Sequence, residues 1–121
     1  MTDSIYQVFA AYFDQWGIQL PEGALQRSQP GRLTAGGWTV RYLPGEDERG
    51  RYLDFYATHR MTNDRHVRIY ASGETEMLPA YLEHVIYPEN ASQEQQRQAE
   101  GEYRQYNAQV TALLRQKGFV D

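Results

Sequence analysis

YLDFYATH (residues 52–59) and RHVRIY (residues 65–70) alternate apolar and polar side chains on either side of a break at the polar residues Thr62-Asn63-Asp64. Such alternation is typical of β-strands that bury one face and keep the other more polar. We therefore predict a β-hairpin over residues 52–70, with a core face and an outer face. The core-facing residues are Leu53, Phe55, Val67 and Ile69.

The turn of this hairpin is constrained by the side chains that must share a face. The core residues of both arms have odd numbers, so the turn must contain an odd number of residues. A three-residue turn at Thr62–Asp64 meets this condition. It would place Thr58 opposite Arg68 and Tyr56 opposite Tyr70.

The three histidines do not form a metal-binding set. The predicted pairing puts His59 on the core face and His66 on the outer face, so their imidazoles cannot bind one ion together. His59 and His84 are alternative candidates for acid–base chemistry, but each is better interpreted as a partly buried histidine with satisfied hydrogen bonds. The acidic residues around position 47 lack the spacing of a calcium loop. No metal site and no cofactor are predicted.

The chain before the hairpin is interpreted as strands and turns. Residues 24–28 form a weak edge strand, and Gln29–Arg32 suits a type II turn with glycine at the position that needs a positive φ. A longer strand covers Leu33–Leu43 and bends at Gly36-Gly37.

A charged loop, Pro44–Gly50, joins this strand to the hairpin. The number of residues between two paired core positions must be even here, because the core positions before the loop have even numbers and those after it have odd numbers. Pairing Tyr42 with Leu53 satisfies this condition. Arg41 would then lie opposite Asp54 on the outer face and form a cross-strand ion pair.

Two amphipathic helices flank the strands. The first covers residues 3–16, where six apolar residues recur at helical spacing, and Gly17 ends it in a left-handed conformation. The second begins at a cap formed by Asn90 or Ser92, and Gly118 ends it. Its first two turns are polar on all sides, so they either extend into solvent or pack on a partner.

The segment between the hairpin and the second helix has a weaker pattern. Residues 74–78 are predicted to form a short fifth strand, and residues 80–87 form either a short helix or an extended segment. The whole chain, residues 1–121, is expected to be a single α+β domain. Its architecture would be a four- to five-stranded antiparallel meander with both helices packed on one face, a two-layer sandwich.

Composition narrows the function classes. The net charge of −4 disfavours general binding to nucleic acid or to anionic membrane. Eleven of the twelve basic residues are arginine, which fits the coding bias of a GC-rich, bacterial-like genome better than dedicated anion recognition. The chain has no cysteine and no apolar run near the roughly 20 residues of a membrane span, so we expect a cytoplasmic protein.

Three functions compete on the outer sheet face. The favoured one is a non-catalytic module that binds a protein partner or a second copy of itself, because tyrosine and arginine are enriched at interfaces. The candidate binding residues are Arg41, Asp54, Tyr56, Thr58, His66, Arg68 and Tyr70.

The alternative is an enzyme or small-molecule binder that uses His66, Asp54, Arg68 and Tyr56 for acid–base or anion-binding chemistry. No catalytic residue is assigned, since an open sheet face excludes little water. The third hypothesis is a single-stranded nucleic-acid binder, which would stack bases on tyrosines and contact phosphates through arginines. The acidic net charge makes this hypothesis the weakest.

Overall fold

Within residues 4–121, five antiparallel strands form one sheet that lies between two α-helices. The computed structural model describes residues 4–121. Its elements are α1 (Ser4–Asp14), a 3₁₀ turn (Ala24–Gln26), β1 (Gly31–Ala35), β2 (Trp38–Asp47), β3 (Gly50–His59), β4 (Thr62–Tyr70), β5 (Thr75–Met77) and α2 (Gln93–Lys117). Each strand pairs with the next one along the chain. The predicted α+β class and antiparallel meander are confirmed.

The β3–β4 hairpin forms where the sequence predicts it, but with a different turn and register. The turn holds two residues, Arg60 and Met61, because His59 pairs with Thr62. A β-bulge lies between the pairs Ala57–Arg65 and His59–Thr62, where Asn63 and Asp64 of β4 oppose the single residue Thr58 of β3. The extra residue in β4 restores the face parity that the shorter turn would break. The odd residues therefore still face the core.

The changed register alters every predicted cross-strand partner. Asp54 lies opposite Arg68, and Tyr56 lies opposite His66. The predicted pairs of Thr58 with Arg68 and Tyr56 with Tyr70 are wrong. The separation of His59 from His66 is confirmed, since the His59 ring lies 4.9 Å from Trp38 on one face and His66 packs 5.4 Å from Tyr56 on the other.

Residues 31–47 form a second hairpin instead of one bent strand and a loop. Gly36 and Gly37 have φ values of 58° and 86°, the pair of left-handed conformations that makes a tight two-residue turn. Gly31 belongs to β1, so the predicted type II turn is wrong. The edge strand predicted at residues 24–28 is also wrong, because this part of the chain forms the 3₁₀ turn.

β2 continues through the predicted charged loop. Its pairing with β3 ends at a two-residue turn between Asp47 and Gly50, so the loop has the predicted even parity but is shorter. Gly45 permits this extension, because a Cβ atom there would lie 2.5 Å from the ring of Tyr52. Tyr42 consequently pairs with Phe55 and Arg41 with Tyr56, and the predicted Arg41–Asp54 pair does not form.

The helices cover opposite faces of the sheet. Aromatic residues of α1, led by Phe9 and Phe13, pack on the core face with Phe55 at their centre, as predicted. Val110 and Leu114 of α2 pack on the outer face around Tyr56. The prediction that both helices share one face is therefore correct for α1 and wrong for α2, and the elements form three layers.

The ends of the helices follow the sequence signals. Gly17 takes a φ of 70° and ends α1, whereas the start predicted at Asp3 lies outside the described residues. Ser92 and Gln95 form a capping box at the start of α2, and Gly118 ends it with a φ of 81°. The polar first turns of α2 are exposed. The predicted fifth strand forms as β5, and residues 78–90 form neither helix nor strand.

Candidate functional site

The predicted outer face is divided into a covered part and an open part. Helix α2 and the segment before it cover three of the candidate residues, whose exposed fractions are 5 % or less: Asp54, Tyr56 and His66. Tyr70 is equally buried, but its neighbours are Asp47, Arg49 and Tyr52. Arg68 is partly buried beside them. Arg41 and Thr58 lie in the part that α2 leaves open, where Thr58 is exposed and Arg41 is half-buried.

Asp54 is the centre of the covered part. Its carboxylate accepts two hydrogen bonds from the Arg68 guanidinium, at 2.6 and 2.9 Å. Lys117 Nζ lies 3.0 Å from the same carboxylate and forms a second ion pair with it. These hydrogen bonds raise the pKa of Arg68 above its ordinary value. Because Lys117 belongs to the last turn of α2, this network joins the helix to β3 and β4.

His66 is fully buried and takes part in the same network. Its Nδ1 lies 2.8 Å from the Pro79 carbonyl, which can only accept, so the proton is on Nδ1. Nε2 therefore accepts from Lys117 Nζ at 2.8 Å. Burial lowers the pKa of His66 to about 4, and the Lys117 charge acts in the same direction. Burial also lowers the pKa of Lys117, against the attraction of Asp54.

Two tyrosine hydroxyls make further buried contacts on this face of the sheet. Tyr56 donates to Asp64 at 2.6 Å and accepts from the Tyr81 backbone N–H at 3.1 Å. Burial, followed by the Asp64 hydrogen bond, raises the pKa of Tyr56 above its ordinary value. Tyr70 donates to Asp47 at 2.8 Å. Both hydroxyls therefore hold strands and connecting segments together.

The covered part has no free acid, base or nucleophile among its described side chains that could act on a substrate. A cleft of about 340 Å³ lies beside it between β2, β3 and the end of α2, and Asp54, Arg68 and Lys117 line part of it. Their charged atoms already contact one another, so none is a free base or nucleophile. Within residues 4–121 no group of three or more histidine, aspartate or glutamate side chains is arranged to hold a metal ion.

The open part is a polar surface on β1, β2 and β3. We call it the open strip, and it consists of Arg32, Thr34, Thr39, Arg41 and Thr58. Arg32 lies directly opposite Arg41, and Thr34, Thr39 and Thr58 form a row across the three strands. No carboxylate of residues 4–121 forms an ion pair with either arginine.

The sequence predictions found only part of this surface. Arg41 and Thr58 are among the predicted binding residues, whereas Arg32, Thr34 and Thr39 are additional. The sequence signal for them is Gly36-Gly37, because a two-residue glycine turn predicts a hairpin and places Arg32 beside Arg41.

Comparisons with known proteins do not assign a function to this chain. Neither helix in residues 4–121 combines the length and the apolar character needed to cross a membrane. Comparison with protein-family models, with curated proteins and with solved structures finds no match in any of the three.

Proposed function

We propose that this chain is a non-catalytic, cytoplasmic protein-binding module whose contact surface is the open strip. The observation that carries the proposal is the direct juxtaposition of Arg32 and Arg41 on an exposed sheet face. Like charges at opposed strand positions destabilise a sheet by a fraction of a kcal/mol. A negatively charged partner would remove that repulsion and gain hydrogen bonds to two guanidinium groups.

The enzyme alternative has weaker support. It depends on His66, Asp54, Arg68 and Tyr56, and all four side chains are already engaged. His66 and Tyr56 bond to residues 79–81, and Asp54 contacts both Arg68 and Lys117 of α2. A histidine with a pKa of about 4 is a poor general base near neutral pH.

The nucleic-acid and self-association alternatives also lose support. Tyr56 and Tyr70 are buried, and the open strip has threonines where a single-stranded nucleic acid would need aromatic rings for stacking. Two copies joined through their open strips would bring four arginines together, which is electrostatically unfavourable. A second protein with acidic groups fits better.

The test compares two charge-reversal variants in quantitative affinity capture. One carries Arg32→Glu and Arg41→Glu, and its matched control carries Arg97→Glu and Arg104→Glu on the exposed side of α2. At least one protein should be retained by the wild type and the control and reduced about tenfold or more by the open-strip variant, a difference of about 1.4 kcal/mol. Equal capture by both variants would contradict the proposal, provided that their melting temperatures match the wild type.

A further inference from the structure

We infer that the partner binds as an extended acidic segment that adds a sixth strand to the sheet alongside β1. This inference rests on the proposed function and specifies the chemistry of the partner at the same surface. It follows from the free edge of β1, the direction of its backbone groups and the charges beside it.

Within residues 4–121, β1 is an edge strand, with β2 on one side and no strand on the other. Ala35 and Trp38 flank the two-residue turn and form a hydrogen-bonded pair, so hydrogen-bonded and non-hydrogen-bonded positions alternate from there. Arg32 and Thr34 fall on the non-hydrogen-bonded positions. Their N–H and C=O groups therefore point away from β2, toward the free edge, where an added strand could pair with all four.

The same two residues direct their side chains onto the open strip. Leu33 and Ala35 pack toward the core face, so Arg32 and Thr34 lie on the opposite face. A strand added to this edge would lie about 4.8 Å from β1, with alternate side chains beside Arg32 and within reach of Arg41 one strand further in. Glutamate or aspartate at these alternate positions would contact both guanidinium groups.

The charges also indicate which strands are excluded. A charged side chain on an edge strand commonly prevents unwanted pairing, and Arg32 would act in this way against basic strands. Arg41 lies on an inner strand, so it contributes little to protecting the edge. A second copy of this chain pairing antiparallel through β1 would place its own arginines beside Arg32 and Arg41, so a homodimer through this edge is disfavoured.

The experiment measures binding of a short synthetic peptide that alternates glutamate with valine and has blocked ends. Isothermal titration calorimetry gives the affinity, and NMR chemical shifts show whether the amides of Arg32 and Thr34 move. We expect binding that weakens with added salt and falls about tenfold or more with Arg32→Glu/Arg41→Glu.

Two further experiments, or arms, distinguish binding by strand addition from binding by charge attraction alone. Thr34→Pro removes one outward N–H and keeps both arginines, and Thr34→Val is its matched control. The second arm uses the wild-type protein with a peptide N-methylated on the amides that would face β1, so it remains informative if Thr34→Pro does not fold. We expect the proline variant and the N-methylated peptide to lose affinity about tenfold, and the valine variant to keep it.

The outcomes distinguish this inference from the proposed function. If the arginine variant loses the peptide but N-methylation has no effect, strand addition is wrong and the charged surface remains. If the peptide does not bind at about 1 mM, or if a lysine–valine peptide or a single-stranded oligonucleotide binds equally well, the acidic-strand inference is wrong. The capture experiment with the charge-reversal variants tests the broader proposal independently.

Discussion

Acid should destabilise this protein through His66, and the size of the effect can be worked out from its surroundings. The folded-state pKa is about 4, against 6.5 for an exposed histidine. Between pH 4 and pH 6.5, His66 is protonated in the unfolded chain but stays neutral in the folded chain. The free energy of unfolding therefore falls as the pH falls from 6.5 toward 4. The difference between these two pKa values corresponds to roughly 3 kcal/mol of unfolding free energy. Of this, about 2 to 3 kcal/mol is lost by pH 4.5.

The perturbation that isolates this effect is His66→Gln. Glutamine does not titrate, and its amide can donate to the Pro79 carbonyl and accept from Lys117 as the imidazole does. Urea denaturation at pH 7.5 and pH 4.5 gives the loss of unfolding free energy for each protein. The wild type should lose about 2 kcal/mol more than His66→Gln, because the carboxylates titrate in both and cancel in the comparison.

His84 supplies the matched control, since it is exposed and the prediction that it is partly buried is wrong. His84→Gln should lose the same stability as the wild type between the two pH values, since His84 makes no hydrogen bond within the described chain. Equal losses for the wild type and His66→Gln would refute the assignment of His66 as a buried neutral imidazole that accepts from Lys117. A lower stability of His66→Gln at pH 7.5 alone would not, because the reasoning concerns the difference between pH values.

Three further substitutions test other contacts, each by urea denaturation at pH 7.5. Asp54→Asn should cost up to about 3 kcal/mol, because it leaves Lys117 without a carboxylate and Arg68 with only the longer ion pair to Asp47 at 3.5 Å; a cost below about 1 kcal/mol would show that the network contributes little. Gly101→Ala should stabilise by up to about 1 kcal/mol, since a Cβ there meets no atom within 4 Å; a loss would reveal an unseen contact. Ser92→Ala should cost about 1 kcal/mol by removing the capping box, and an unchanged midpoint would indicate that the first turn is already frayed.

Side-chain parity can be predicted from the sequence, whereas strand register cannot. The odd residues of β3 and β4 face the core in either register, so the positions of Phe55 and Val67 follow from alternation alone. The register depends on the bulge between Ala57 and His59, which inserts one residue without leaving a mark on the apolar pattern. Tyr56 consequently lies opposite His66 instead of Tyr70.

The β1–β2 hairpin can be predicted from the sequence. Two adjacent glycines between strand-forming residues signal a tight turn, because both central residues of that turn need a positive φ. Interpreting Gly36-Gly37 as a bend leaves Arg32 in a turn and removes it from the sheet. The continuation of β2 through Pro44-Gly45 is harder to foresee, since it depends on the tertiary contact between Gly45 and Tyr52.

The position of α2 explains why the proposed contact surface is the open strip and not the whole outer face of the sheet. A polar sheet face is expected to remain in solvent, because burying a polar group is costly unless it finds a partner. Here the groups on that face find partners: Asp54 pairs with Arg68 and Lys117, and the Tyr56 hydroxyl bonds to Asp64. These internal bonds allow a helix with few large apolar residues to cover the middle of the sheet. What remains open is the side next to β1, where Arg32 and Arg41 have no carboxylate partner among residues 4–121, and this is the surface on which we propose that an acidic partner binds.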